Sequence, residues 1–488
     1  MATPCVEMLL FVNARESEDN CPSQVSGVLK RGWSSRPVGS QFIAARSSTR
    51  AVAGATHPWG VRRFFIEDPA RSSTCSPTSP ESGSAHPRPS VKGDIDRIRG
   101  AIVDVMKDEC HPGLDGGPIY LDYNATTPVD PRVVDAALPY LRLHFGNPSS
   151  SHRYAVVPGE AIDLARGRVA LLLGARPDEI VFTGGGSETD TLAIRGAALA
   201  NRDRGHHVIT QSTEHPAVLE ACRRLDADGF EVTYLPVDRD GRVDPAELRS
   251  AIREDTTLVS IMLANAETGT MQPIPELAAI AADHGALFHT DAAQAVGKVV
   301  VDVEALGVDL LTVVGHKMYA PKGVGALYVR SGVRLQPTTP GGGQERGLRA
   351  GTENVALIAA LGSAAQIAGD DLPASSAHLT GLRDRLHRRL EELLPGRVQL
   401  NGHLTERLPG TLNVSITGIN GRELLMAVPE IAAATGSACH EGTDEPSEVL
   451  TAMGMSAERA TAALRLSLGR WTTEAEIEQV ARLISARA

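Results

Sequence analysis

Lys317 and Asp291 are the residues of this chain whose types and settings point most directly to chemistry. Lys317 lies in Val313-Val314-Gly315-His316-Lys317-Met318-Tyr319-Ala320-Pro321-Lys322-Gly323, directly after the apolar run 308–314. That run is short and β-branched enough to be a buried strand. A lysine at the end of such a strand can be desolvated enough to act as an amine nucleophile, although a lysine in that place is more often a solvated surface residue. Asp291 ends a second run of the same kind, Ala286-Leu287-Phe288-His289-Thr290-Asp291, with Gln294 three positions further on. In an open α/β sheet, ligands gather at the carboxyl ends of the strands. Two successive strands therefore deliver Asp291, Gln294, His316 and Lys317 to one rim. A lysine for a Schiff base and a carboxylate to keep a pyridine nitrogen protonated are what pyridoxal 5'-phosphate requires. The plainer role for Asp291 is to cap the helix that follows.

Other stretches join that rim. Glu179-Ile180-Val181-Phe182-Thr183-Gly184-Gly185-Gly186-Ser187-Glu188 reads as strand, glycine-rich turn and helix start. Its glycines let the backbone approach a ligand, and the helix amides favour a phosphate. The turn lacks the Walker lysine and the dinucleotide glycine spacing. His215 follows a strand predicted over 207–211; a histidine there caps or faces solvent, or stacks on a flat aromatic ring. Further strands are predicted at 231–235 and 257–264, with helices at about 131–143, 159–173, 216–228, 244–253 and 276–284. Strands alternating with helices argue for an α/β fold with a mainly parallel sheet between helix layers.

After residue 330 the glycine-rich, donor-rich stretch 341–354 precedes helices predicted at 355–367 and 376–394. A smaller C-terminal unit follows, with a strand at 410–416 and an alternating strand at 464–470. Arg465 and Arg470 are candidates to hold a carboxylate bidentately. Cys439, in Gly436-Ser437-Ala438-Cys439-His440-Glu441-Gly442, is set among small residues that allow movement, which suits a reactive thiol better than a core one.

At 488 residues the chain can hold two or three domains, and 42% hydrophobic with 22% charged residues is ordinary globular composition. The net charge of −11 argues against a general nucleic-acid or anionic-membrane surface. No consecutive apolar run reaches the length of a membrane span. Of six cysteines, only Cys222 and Cys439 fall beyond the leader, which fits a reducing compartment and cytoplasmic residence rather than a disulfide framework. Residues 1–115 are rich in Ser, Arg and Pro, with one amphipathic stretch at 95–107, and read as a leader. Three readings stay open for it: a disordered tail, an unusual (organellar) targeting segment, or an extension upstream of the true start. The expected division is this leader, a large domain over 116–372 and a small domain over 373–488.

Together, Asp-Tyr-Asn-Ala-Thr-Thr-Pro (122–128), Thr-Glu-His (213–215), Asp-Ala-Ala-Gln (291–294), Gly-His-Lys (315–317), Arg-Ala-Gly-Thr (349–352), Gly-Ser-Ala-Cys (436–439) and Leu-Arg-Leu-Ser-Leu-Gly-Arg (464–470) resemble the cysteine desulfurases, class V aminotransferases of fold-type I. The resemblance runs from about Tyr120 to the C-terminus. It implies a seven-stranded, mainly parallel sheet, a smaller α+β C-terminal domain and a homodimer. It also implies that Lys317 forms the Schiff base, that Asp291 faces the pyridine nitrogen, that Gln294 bonds the ring hydroxyl and that His215 stacks on the ring. Gly186, Ser187 and His316 would hold the phosphate, together with Thr352 of the second subunit. Arg465 would grip the carboxylate of L-cysteine. Cys439 would take the sulfur as a persulfide for an acceptor protein, such as an iron–sulfur scaffold, or for thiolation chemistry. Two positions depart from the family: Ala266 stands where an asparagine is usual, leaving Asn265 or a water to replace it, and Val314 stands where many members have a phosphate-binding serine. Selenocysteine lyase shares nearly every motif, and a cofactor-binding paralogue without activity would fit the Ala266 departure.

Overall fold

The computed structural model describes residues 111–436 and 446–488 and, nearer the N-terminus, one antiparallel pair, Val52–Ala53 with Phe64–Phe65. Cys439 and the helix expected at 95–107 lie outside the described residues.

From Ile119 the chain runs through β1 (Ile119–Tyr120), α1 (Pro131–Arg142), α2 (Val156–Leu173), β2 (Ile180–Thr183), α3 (Gly186–Ala200), β3 (His207–Gln211), α4 (Pro216–Ala227) and β4 (Glu231–Leu235). It continues with α5 (Pro245–Ala251), β5 (Thr256–Ser260), α6 (Ile274–Asp283), β6 (Leu287–Asp291), α7 (Val303–Leu306), β7 (Leu310–Val314) and β8 (Gly325–Val329). Seven of these strands form one sheet in the order β2-β8-β7-β6-β5-β3-β4. It is parallel except for β8, which is antiparallel to both neighbours. The reason lies just after Lys317: Pro321-Lys322-Gly323 turns the chain back, Gly323 at φ +86°, so β8 returns beside β7.

The central strands are apolar along both faces because helices cover both. Their side chains divide with the period of two. Val181, Val208, Leu258, Leu310 and Leu327 pack under α3 and α4, whereas Ile180, Phe182, Val259, Leu311, Val313 and Tyr328 join α2 and α6 on the other side.

Beyond the sheet come α8 (Val355–Leu393), β9 (Val398–Leu400), β10 (Thr411–Ile416), α9 (Gly421–Ala427) and β11 (Ile431–Ala432), then α10 (Glu448–Ala452), α11 (Ala457–Thr461), β12 (Ala463–Ser467) and α12 (Glu474–Arg487). The two helices expected at 355–367 and 376–394 are one helix, continuous through Pro373. Proline costs a helix about one hydrogen bond plus strain, and packing along the length of α8 offsets it. Its first half, with Ile358, Leu361 and Ala365, belongs to the core of the large sheet. Its second half presents Leu379, Leu382, Leu386 and Leu390 to the small antiparallel sheet β9-β10-β12. Length and composition would let α8 cross a membrane, but its apolar face is spent on these two cores. Leu121 also packs in the C-terminal core, and β1 pairs in parallel with β11. The segment following β1 therefore starts at the small unit and crosses the carboxyl edge of the large sheet.

Candidate active site

The carboxyl edge of the parallel strands opens on a cavity of about 350 Å³. Its wall includes Gly186 and Ser187 after β2, Glu214 and His215 after β3, Asp291 and Gln294 at and after β6, and His316 and Lys317 after β7. The small unit closes it with Arg465 of β12, and with Gly436 and Pro446–Val449 on either side of residues 437–445.

Lys317 is held by the segment that follows β1. Its Nζ donates to the carbonyl oxygens of Asn124 and Ala125, both at 2.7 Å. That segment is in turn zipped to the lysine turn: Thr127 N–H donates to His316 O at 2.9 Å, and Tyr319 N–H to Thr127 Oγ1 at 2.9 Å. Tyr319 takes φ +61° to make the turn. Two adjacent carbonyls of that one segment thus fix where the amine points.

Asp291 is 8% exposed, and its Oδ1 accepts from Ala293 N–H at 2.8 Å. Burial raises its pKa, while His215, that backbone bond and Lys317 pull the other way. A buried carboxylate of this kind stays ionised only against a cation, and a protonated pyridine is one. Two neighbouring acids, Asp190 and Glu214, are pushed well above the carboxylate range, by burial first and then by the charge of Asp291. His289, fully buried, bridges Ser260 Oγ at 2.8 Å and Thr312 Oγ1 at 3.0 Å. Burial lowers its pKa to about 3, so it places no positive charge beside Asp190, whose Oδ1 lies 3.8 Å from its Nε2.

His215 caps α4, its Nδ1 accepting from Ala217 N–H at 3.1 Å. Burial, and to a lesser degree Lys317, lower its pKa against the pull of Asp291. A neutral ring with Nδ1 accepting carries its proton on Nε2, and its accessible face lines the cavity. His316 is driven down to about 4, by burial and then by Lys317, with Nδ1 on Thr126 Oγ1 at 3.1 Å.

At one end of the cavity the turn before α3 is built on glycine. Gly185 has φ +135°, and a Cβ on Gly186 would stand 2.9 Å from Val314 Cγ2. Val314 thus closes the floor of the turn by packing, and the N-terminus of α3 faces the cavity through Gly186 and Ser187. At the other end Arg465, 1% exposed, pairs through Nη2 with Asp122 Oδ1 at 2.7 Å, while its Nε has no partner among the described residues. Arg470 parts company with it. Its guanidinium binds Asp130 and Asp371 and lies 4.5 Å above the Tyr319 ring, so it braces the fold and lines no part of the cavity.

These groups fit pyridoxal phosphate: an anion cradle, an amine, a buried acid, a flat imidazole and a polar amide arranged round one cavity. The structure places most of the sequence-predicted residues on that wall. Asn265 lines it too, but its Oδ1 already accepts from Glu267 N–H and Thr268 N–H and its Nδ2 donates to Thr213 O, so the side chain is spent on its own turn. The backbone oxygen at Ala266 accepts from Asn124 Nδ2 at 3.1 Å. Thr352 is exposed and does not line this cavity. Sequence reasoning missed Asn124 and Lys298. Lys298 Nζ bonds Gln294 Oε1 at 2.8 Å and Asn124 Oδ1 at 3.0 Å, and the only local trace is the four-residue spacing from Gln294 to Lys298.

The family model described as Aminotransferase class-V matches residues 119–480. The chain is 48% identical over 373 residues to the "Cysteine desulfurase IscS" of Anaeromyxobacter dehalogenans, covering 76% of this chain and 92% of that protein. It is 50% identical over 369 residues to the protein of the same name from Methanosarcina thermophila, covering 75% and 91%. Among solved structures, a "NIFS-LIKE PROTEIN" superposes with a TM-score of 0.71 at 38% identity, over 76% of this chain and 98% of that one. Another, described as "SspA in complex with cysteine", gives 0.64 at 38% identity over 73% and 100%.

Proposed function

We infer the reaction from one premise: the chain belongs to the aminotransferase class V family. It is a cysteine desulfurase that uses pyridoxal 5'-phosphate and takes L-cysteine as substrate. The observation that carries the site assignment is the cavity itself, which has the amine of Lys317 and the buried acid Asp291 on its wall, an anion cradle at one end and Arg465 at the other.

In this reading the amides at Gly186 and Ser187, with His316, hold the phosphate. Asp291 faces the pyridine nitrogen, Gln294 the ring hydroxyl and His215 the ring face. Bound there, pyridoxal phosphate supplies an electron sink that makes the Cα proton of an amino acid removable. Arg465, braced by Asp122, holds the substrate carboxylate. Lys317 Nζ would take the Cα proton and later return a proton. The Cys439 thiolate attacks the sulfur of L-cysteine: an S–S bond forms as the Cβ–S bond breaks. The bonding pair leaves with carbon, a proton joins it, and L-alanine departs while Cys439 keeps the persulfide. The flanks of residues 437–445 line the cavity, which supports giving Cys439 this part.

A homodimer completes the reading. Leu141, Leu143, Phe145, Tyr154 and Leu171, on and between α1 and α2, are each at least 66% exposed, and a second copy would cover such a surface. Thr352 would then reach the phosphate of the other subunit. The sulfur goes on to an acceptor protein, and iron–sulfur cluster supply is the use we assign to it. Cytoplasmic residence suits a thiol that must stay reduced. The test is turnover: purified protein with L-cysteine should release L-alanine, and Lys317→Ala should lose both turnover and the visible absorption of bound cofactor. An unchanged spectrum in Lys317→Ala would refute the assignment.

A further inference from the structure

Lys298 is a partly buried cation to which the mechanism above gives no task. It is clamped between two amides that line the cavity, at 2.8 Å from Gln294 Oε1 and 3.0 Å from Asn124 Oδ1, and stands in the layer beyond them. Withdrawing an ammonium from water is unfavourable unless it is well bonded, and an apolar residue could fill the same space without that penalty. An ammonium has three donors and no lone pair. The atom of Gln294 that faces it must therefore be the amide oxygen. The same conclusion follows from the opposite side, where Gln294 Nε2 donates to Asn124 O at 3.0 Å. That carbonyl also accepts from Lys317 Nζ at 2.7 Å. One hydrogen of the Gln294 amide is thus committed to Asn124 O, and the other is left for the cavity.

We propose that Lys298 is a positioning residue for the reaction: it locks the Gln294 amide so that an N–H, and never the oxygen, meets the ring hydroxyl of the cofactor. The proposal rests on the reading of Gln294 given above. Without Lys298 one of the two contacts that orient the amide is gone, and the bond from Nε2 to Asn124 O alone would have to keep its oxygen off an anionic ring oxygen. The charges facing Lys298 are those of Lys317 and Arg465, the latter paired with Asp122. Burial first, then those two cations, bring its pKa down to about 7. An anionic ring oxygen nearby would favour its charged form. Lys298 and Lys317 are thereby linked through one residue, Asn124, whose side chain serves the first and whose carbonyl serves the second.

The experiment uses the full chain loaded with pyridoxal phosphate and reads the pH midpoint of its visible absorption band. A donor on the ring oxygen would stabilise the oxygen's anionic form, and so lower the pH at which the visible band of the bound cofactor changes. Losing that donor should raise the midpoint by about one pH unit, the size expected for one hydrogen bond to a charged group. Lys298→Met and Gln294→Leu should each show this rise, and the double variant should move no further than the larger single one. Lys298→Arg, which keeps the charge and the donors, should stay within about 0.3 unit of wild type, a small fraction of that bond. A wild-type midpoint in Lys298→Met, with Gln294→Leu shifted, overturns the proposal and leaves the Gln294 contact standing. An unmoved midpoint in Gln294→Leu overturns both. Should Lys298→Met fail to fold, Lys298→Leu takes its place: a midpoint raised like that of Gln294→Leu supports the proposal, and a wild-type midpoint beside a shifted Gln294→Leu overturns it.

Discussion

Replacing Arg465 by lysine tests how the substrate is held. The guanidinium is buried on β12, and its Nη2 is fixed by Asp122 Oδ1 at 2.7 Å. That pairing sets the plane of the fork and leaves Nε, which has no partner among the described residues, for a carboxylate. Lysine keeps a positive charge for Asp122 but cannot offer two parallel donors. The loss is one charge-assisted hydrogen bond, worth about 1.5–3 kcal/mol. At about 1.4 kcal/mol per factor of ten, KM for L-cysteine should rise roughly 10- to 100-fold. The carboxylate does not react, so ground and transition states lose about equally and kcat should change little. The assay is the initial rate of L-alanine formation against L-cysteine concentration, with the cofactor absorption recorded on the same samples. Arg465→Met would be a poorer probe: it strands the Asp122 carboxylate at a buried joint, a loss of about 3–5 kcal/mol that can unfold the protein. A KM within about threefold of wild type in Arg465→Lys, with cofactor bound, would refute the role given to Arg465.

Gly186→Ala brings a Cβ to 2.9 Å from Val314 Cγ2, on a strand buried on both faces. Relieving it must shift the start of α3, at about 1–3 kcal/mol, so cofactor affinity should fall about tenfold or more in a spectroscopic titration; an unchanged Kd would show that the turn does not hold the phosphate. His289 gives a pH signature. Its folded pKa of about 3 lies below the ordinary 6.5, so the unfolded chain binds the extra proton between those values. Its share of stability is complete above about pH 6.5 and is lost as pH falls toward 3, amounting to several kcal/mol at most. Denaturant unfolding of wild type and His289→Gln should therefore converge in stability as the pH is lowered through that window. Parallel pH profiles would contradict a neutral buried imidazole.

The rim was legible because buried strands announce themselves as apolar runs, and ligand-binding residues follow their carboxyl ends. Gly186, His215, Asp291, Gln294, His316 and Lys317 could all be placed by that rule, and the structure brings them round one cavity. What escaped depends on pairings far apart in the chain. Asn124 and Lys298 meet across 174 positions, and neither sits at the end of an apolar run. The return strand β8 hides behind the turn after Lys317, where nothing local says that it will insert between β2 and β7. The join at Pro373 misled for the opposite reason: the local signals for a break are real, and packing against two separate cores overrides them. Arg465 and Arg470 look alike in an alternating strand, and only Asp122, Asp130 and the Tyr319 ring tell them apart.

The central claim is that sulfur leaves L-cysteine on Cys439. It is tested most directly by mass spectrometry of the Cys439 peptide, without reductant, after brief exposure of the cofactor-loaded protein to L-cysteine. The account predicts a peptide heavier by one sulfur atom, absent in Lys317→Ala. An unmodified Cys439 peptide from protein that binds the cofactor and releases L-alanine would contradict it.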